Sequence, residues 1–237
     1  MSGSYLEHHE RTQGPVSGRG PVGWLRKHLD RRARAMGQPD RHALFLHRVL
    51  SLADLAEAQE EVRVLDVGCA SGLALSYTAP NLRAFGVDRD DHYAPRLEAA
   101  GITFRVADVG AEPLPFEDGF FHLVMLNHII EHVTDYDILA GEVRRVTAIG
   151  GHAYVRTPDI KCVKGAFYDD YSHVKPYTPN ALVDLMRAHG FEVRQLLRSD
   201  HPRINLDILT GGRWRGLLMG RLFGGREIEA LFVKGEG

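Results

Sequence analysis

Cysteine is scarce. The 237 residues include only Cys69 and Cys162, and neither lies in a CxxC pair, which excludes a disulfide framework and a cysteine-built zinc site and fits a reducing, cytoplasmic setting. Long apolar runs are lacking too. No stretch approaches the roughly 18 uninterrupted apolar residues needed to cross a bilayer, and the opening MSGSYLEHHE has no apolar signal core. Neither sign of charge dominates: 29 basic and 31 acidic side chains nearly cancel, so the chain carries no broad basic field for nucleic acid. What is present, 44% hydrophobic and 25% charged residues, suffices for one α/β domain with a substantial core.

The first 60 residues differ from the rest. RTQGPVSGRGPVG, 11–23, is a Gly- and Pro-rich arm, while 24–36 and 41–58 carry helical apolar spacing and predict a helical N-terminal cap over 1–60. The cluster Arg26, Lys27, Arg31, Arg32 and Arg34 reads as the solvated face of a short helix. From 61 to 237 strands alternate with helices, the pattern of a parallel sheet built from crossover units. Strands are predicted at 62–67, 83–87, 102–107, 120–126, 151–157, 191–197 and 227–233. Helices are predicted at 135–148 and 178–190, the latter with Thr178 as N-cap, Pro179 in its first turn and Gly190 as its stop. Residues 199–226 form an insertion between the last two strands, longer than a hairpin requires.

The strongest chemical signal is VLDVGCASG, 64–72, an apolar strand running into Gly68, Cys69, Ala70 and Gly72 and predicting a helix beyond. Glycines at a strand's carboxyl end let a ligand approach the backbone, and a following helix N-terminus offers free N–H groups. The next strand ends in GVDRD, with Asp88 and Arg89; Asp88 lies at about the spacing expected of a ribose-gripping acid. The glycine pattern is not the GxGxxG of a dinucleotide site. An acid at the first strand's end, Asp66, repels phosphate and suits an ammonium group.

In order along the chain, VLDVGCASG, GVDRD, ADVGAEPLPFEDGFFHLVMLNHIIEHV and EVRRVTAIGGHAYVRTP resemble the motifs of class I S-adenosylmethionine-dependent methyltransferases, in particular their small-molecule, type 11-like branch. The resemblance spans roughly 62–198 and implies a doubly wound, mostly parallel, seven-stranded Rossmann-like sheet with S-adenosylmethionine as cofactor. It implies that Asp66 and the turn Gly68 to Gly72 hold the amino-acid part, that Asp88 binds the ribose hydroxyls, that Asp108 and the backbone of Val109 meet the adenine, and that Asn127 lines the methionine end. Ala70 stands where the family usually has glycine; positive φ there would strain the turn.

NHIIEHV, 127–133, contains HxxEH, which on a helix would set two imidazoles and a carboxylate around zinc. The preceding apolar strand ends at Asn127, so His128 falls at a strand-to-helix junction, and no metal is predicted. In the resembling family the Glu-His pair orders this junction, which makes His132 a supporting residue; His128 faces the acceptor cleft. The loop after the fifth strand, 157–179, carries Tyr168, Asp169, Asp170, Tyr171 and His173 and leaves from the sheet's carboxyl edge, where chemistry sits in such folds. Residues 204–226 mix large apolar side chains with arginines, a pattern open to a lid, a peripheral membrane contact or an oligomer contact.

The reading is a methyltransferase acting on a small-molecule acceptor, first at oxygen, with nitrogen or carbon as alternatives and a non-catalytic cofactor-binding subunit as a rival. Imidazole is basic yet largely unprotonated at neutral pH, so His173 is the candidate base, oriented by Asp169 or Asp170, with His128 next.

Overall fold

The structure, a computed structural model, describes residues 41–77, 79–199 and 226–236. The arm at 11–23, the helix at 24–36 with its basic cluster, and 204–225 lie outside the described residues.

Helix α1 (Arg41–Leu52) ends earlier than its apolar spacing predicts. Asp54 turns left-handed (φ 57), and the Leu55 N–H returns to the Leu50 carbonyl at 2.8 Å, the closure that ends many helices. Seven strands follow: β1 (Val62–Val67), β2 (Leu82–Asp88), β3 (Thr103–Val106), β4 (Phe121–Asn127), β5 (Thr147–Pro158), β6 (Phe191–Ser199) and β7 (Glu227–Lys234). Each falls where the apolar runs predict one. Helices α2 (Ala94–Ala99), α3 (Tyr136–Val146), α4 (Ile160–Val163) and α5 (Pro179–Ala188) lie between them. The α5 start is as predicted: Thr178 accepts the Ala181 N–H and Pro179 occupies the first turn. Gly190, at φ 73, stands just beyond the end. Helix α3 is capped by Asp135, whose carboxylate accepts the Ile138 N–H at 3.2 Å.

The sheet order is β3-β2-β1-β4-β5-β7-β6. β1 pairs in parallel with β2 on one side and β4 on the other, so successive crossovers leave β1 in opposite directions and open a crevice at the carboxyl ends of β1 and β4. Only β7 runs antiparallel, against β5 and β6. Apolar side chains pack both faces. One layer joins Leu65, Val67, Val124 and Leu126 to α3 and α5 through Leu139, Val143, Leu182 and Met186. The other joins Val64, Leu123 and Tyr154 to Phe45, Leu46, Val49 and Leu50 of α1. The described part of the expected N-terminal cap is therefore packed on the sheet.

Among the described residues, the helix predicted after β1 is absent. Residues Leu73–Leu75 make a single 3-10 turn, and Pro80 follows shortly before β2. Proline cannot join a helix interior, and it disfavours helical backbone in the residue before it. Among the described residues, the helix N-terminus expected to face a ligand is therefore missing.

Candidate active site

The turn after β1 is folded back on β2. The N–H groups of Gly68 and Cys69 both donate to the Val87 carbonyl, at 2.8 and 3.1 Å. Gly68 (φ 73), Ala70 (φ 42) and Gly72 (φ 72) all lie in the left-handed region, so Ala70 does carry the predicted strain. Asp88 holds it there: its Oδ2 accepts the Ala70 N–H at 2.9 Å. At Gly68 a Cβ would sit 2.7 Å from Cδ1 of Ile129, so glycine is required twice over, by conformation and by space. The Cys69 side chain is buried, and its Sγ would meet a Cβ on Gly86 at 2.6 Å. It faces β2, and its carbonyl accepts the Gly72 N–H at 2.8 Å, which closes the turn.

Asp66, second from the end of β1, is 3% exposed, and its Oδ1 has no hydrogen-bond partner. Burial, reinforced by the charge of Asp88, raises its pKa to about 8. On the adjacent strand, Oδ1 of Asn127 is likewise buried without a donor. A buried acceptor left unpaired costs about 1 to 3 kcal/mol, so two at neighbouring strand ends mark a place made for a donor-rich group. An ammonium, with three N–H donors and a positive charge, fits both. Asp108 is exposed beyond β3, accepting the Gly110 N–H at 3.3 Å, with Val109 buried beside it. Arg89 is exposed beside Asp88. The residues predicted for the amino-acid, ribose and adenine parts of the cofactor thus occupy the ends of β1, β2, β3 and β4.

At the end of β4 the chain turns sharply at His128 (φ 56) before the 3-10 turn Ile130–His132. The two histidines of HxxEH therefore do not share a helix face. His128 lies between two carboxylates, Nδ1 3.1 Å from Glu131 and Nε2 3.5 Å from Glu227. Burial opposes its charge, but the hydrogen bonds to Glu131 and Glu227 outweigh it and raise its pKa to about 9. Burial likewise opposes ionisation of Glu131, and His128 reverses the effect, keeping the group a carboxylate. Glu131 is fully buried and also accepts from the Thr157 hydroxyl at 3.0 Å. Glu227 accepts from Nε of buried Arg156 at 2.7 Å.

The loop after β5 is pinned to this junction. The N–H groups of Val174 and Lys175 donate to the Glu131 carbonyl at 2.9 and 3.1 Å. His173 rests its ring against Phe167, centroids 4.5 Å apart, and His132, 4.7 Å. Its Nδ1 lies 2.6 Å from the Phe167 carbonyl; a carbonyl only accepts, so Nδ1 carries a proton there and Nε2 is the ring nitrogen not taken up by this bond. His132 is fixed the same way. Its Nδ1 meets the Ser172 carbonyl at 3.2 Å and the Ser172 hydroxyl at 3.0 Å, and that hydroxyl spends its proton on Asp170 at 2.6 Å. Burial, with the neighbouring His173, holds His132 below its ordinary pKa, so the ring is neutral. Of the predicted loop cluster, Asp170 and His173 join the site; Asp169 is exposed, and Tyr168 and Tyr171 are 62% and 65% exposed.

Sequence reasoning missed Glu227, Arg156 and Ser172, and it gave Glu131 and His132 only a supporting place. A lone arginine inside the apolar strand GHAYVRT was the available signal for a buried ion pair, since an uncompensated charge cannot stay there.

A family model described as "Methyltransferase domain" matches residues 33–196. The chain is 30% identical over 178 residues to a demethylmenaquinone methyltransferase of Thermus thermophilus, covering 60% of this chain and 79% of that protein. It is 36% identical over 112 residues to a malonyl-[acyl-carrier protein] O-methyltransferase of Geobacter sulfurreducens, covering 45% of this chain and 42% of that protein. A SAM-dependent methyltransferase structure from Archaeoglobus fulgidus superposes with a TM-score of 0.62 at 18% identity, covering 97% of this chain and 99% of that one. With the strand order, the paired acidic strand ends and the family match in agreement, the chain belongs to the methyltransferase-domain family and is a class I S-adenosylmethionine-dependent methyltransferase.

Proposed function

We propose that the protein transfers a methyl group to an oxygen of a small-molecule acceptor, with His173 receiving the acceptor's proton. The observation that carries this reading is the imidazole pair at the sheet's carboxyl edge, whose Nδ1 atoms are committed to carbonyl oxygens, so that Nε2 is the ring atom through which each can accept a proton. A neutral hydroxyl is a weak nucleophile, and a positioned base that removes its proton as the new bond forms accelerates such a step by about 10² to 10⁴. S-Adenosylmethionine, when bound, supplies a methyl group on an electrophilic sulfonium.

This chain's residues do the rest. Asp66 and Asn127 take the cofactor's ammonium, Asp88 its ribose, and Asp108 with the backbone of Val109 its adenine, while the Gly68–Gly72 turn lets the ligand reach the backbone. His128 has both ring nitrogens on carboxylates and so has no lone pair to offer; it holds Glu131 in place. Asp170, with Oδ2 3.9 Å from His173 Nε2, favours the imidazolium formed when the proton arrives. The exposed Tyr168 and Tyr171, on the same loop, offer aromatic surface for the acceptor. The Geobacter relative's activity, transfer to oxygen, supports the reading. Among the described residues no helix is long and apolar enough to cross a membrane.

The test is incubation of the full chain with ¹³C-methyl S-adenosylmethionine and host extract, followed by separation of small molecules from macromolecules and NMR of the labelled methyl. A methoxy or methyl-ester carbon in the small-molecule fraction is expected. Label on nitrogen or carbon, or in macromolecules alone, would overturn the oxygen or small-molecule assignment; absence of S-adenosylhomocysteine with every fraction would return the chain to a cofactor-binding role.

A further inference from the structure

Three side chains predicted to have no metal converge in the fold. Glu131, His132 and His173 each bring one ligand-capable atom within 4.8 Å of the other two. HxxEH is thus broken and rebuilt: Glu131 and His132 keep their places, while the loop after β5 supplies His173 in place of His128. Zinc-type ligands at about 2.0 to 2.2 Å from an ion lie roughly 3 to 4 Å from one another, so modest side-chain rotations close this set.

The surroundings supply the second observation. Histidines that bind metals donate their other ring N–H to a carbonyl, carboxylate or water, which fixes the tautomer and aims the lone pair. Both rings do so here: His173 Nδ1 lies on the Phe167 carbonyl, and His132 Nδ1 lies on Ser172, whose hydroxyl is anchored by Asp170. The carboxylate of Glu131 is steadied by His128 and Thr157, one partner on each oxygen, and a carboxylate offers about four lone-pair directions, which leaves room for a ligand bond. Asp170 adds a second carboxylate near His173. Two imidazoles and one carboxylate with open positions form a donor set suited to first-row divalent ions.

We propose that Glu131, His132 and His173 bind one divalent transition-metal ion, leaving coordination positions open toward the acceptor loop. The consequence for chemistry rests on the oxygen-acceptor reading. An ion held there would bind the acceptor hydroxyl, whose proton would pass to solvent and whose oxygen would attack the sulfonium methyl as the carbon–sulfur bond breaks and S-adenosylhomocysteine leaves; His173 would then be a ligand. In the metal-free protein His173 is the base. An ion acting this way makes a bound hydroxyl far more acidic than in water.

The experiment titrates the chelator-stripped full chain with cobalt(II) chloride, reading visible d–d absorption and calorimetry, with no acceptor present. One Co²⁺ per chain with a ligand-field band is expected. His132→Ala and His173→Ala should each weaken binding by about 100-fold or more, while His92→Ala, at an exposed position, should titrate like wild type; circular dichroism checks folding throughout. Because Glu131→Gln can unfold the junction, the double variant His132→Ala/His173→Ala decides the matter. If it takes up Co²⁺ as wild type does, or if wild type gives no ligand-field band, the site does not exist. The outcomes separate from the functional reading: Co²⁺ bound while label appears on nitrogen or carbon keeps the site and ends the oxygen assignment, and label on oxygen without Co²⁺ uptake does the reverse.

Discussion

Asp88 spans the gap between two strand ends to hold Ala70: its Oδ2 accepts the Ala70 N–H at 2.9 Å, while Oδ1 takes the Asp90 N–H at 3.3 Å. The acid expected to grip the ribose is thus also the clamp on a left-handed alanine. A left-handed non-glycine residue costs on the order of 1 to 3 kcal/mol and persists only where its surroundings impose it. Asp88→Ala therefore removes both the ribose acceptor and the clamp, and calorimetry should show cofactor affinity falling by more than about tenfold, since one charge-assisted hydrogen bond is worth about 1.5 to 3 kcal/mol. Asp88→Asn keeps an oxygen for the Ala70 N–H and should lose less. Equal losses in the two variants would remove the clamp from the account.

With Asp66 as the proposed partner of the cofactor's ammonium, binding should depend on pH. Buried beside Asp88, it has a pKa raised to about 8, so at neutral pH it holds a proton that a bound ammonium will expel. Affinity should rise with pH through the 6 to 8 range, with close to one proton released per cofactor near pH 7, measured in buffers of different ionisation enthalpy. The sign for folding is opposite. The penalty for burying this carboxyl is absent below its ordinary value of 3.8, grows as pH rises, and is complete above about 8. Asp66→Asn should thus raise the melting temperature of the cofactor-free protein at pH 8 while weakening binding. A pH-independent affinity would sink the assignment.

Gly68→Ala places a methyl group where Ile129 already stands, in a left-handed conformation. Overpacking and positive φ each cost about 1 to 3 kcal/mol, so the variant should lose thermal stability and cofactor binding together. Gly68→Ala/Ile129→Ala removes the collision but not the strain, and should recover part of both losses. If the second substitution restores nothing, the contact with Ile129 is irrelevant.

Arg156 is 2% exposed and satisfies Glu227. Truncating one member of a buried pair typically costs 3 to 5 kcal/mol, because the other charge is left unpaired. Because His128 still faces Glu227, Arg156→Met should fall at or below the low end of that range by urea denaturation, and Arg156→Met/Glu227→Gln should cost clearly less. Additive losses would mean that the two side chains act independently.

His173→Ala should lower turnover by about 10² to 10⁴ with cofactor affinity little changed. His128→Gln tests the rival: it disturbs Glu131 without removing a lone pair at the acceptor, and should lower turnover by less. Turnover of His173→Ala within about threefold of wild type at saturation would transfer the role elsewhere.

The sheet was readable in advance because each strand carries its own local signal, apolar runs such as VLDV and FHLVML bounded by Gly, Asp or Pro. The positions of the residues expected to meet the cofactor were readable for the same reason, since Asp66, Asp88, Asp108 and Asn127 each lie at or near the end of a predicted strand; their roles come from the family resemblance. The helix after β1 was misread: apolar Leu73 and Leu75 imitate a helical face, but Pro80 interrupts the span. The acceptor side was harder because its contacts are long-range. Nothing near HIIEH announces that His132 will stack on His173, or that His128 will face a carboxylate on β7. Those pairings follow from the sheet order, which places the loop after β5 beside the end of β4.

The two hydrogen bonds from Val174 and Lys175 to the Glu131 carbonyl have an engineering consequence. They weld the downstream half of the acceptor loop to the cofactor junction, whereas Lys164 to Tyr171, apart from buried Phe167, stays largely on the surface. A graft that replaces 164–166, 168, 169 and 171 while keeping Phe167, Asp170 and 172–175 should exchange the exposed surface of the loop and leave the imidazoles, with their Asp170 and Ser172 anchors, in register. If this loop meets the acceptor as proposed, substrate preference should move with such an interchangeable cassette, and transplants that cross the Val174–Lys175 weld should lose chemistry along with specificity.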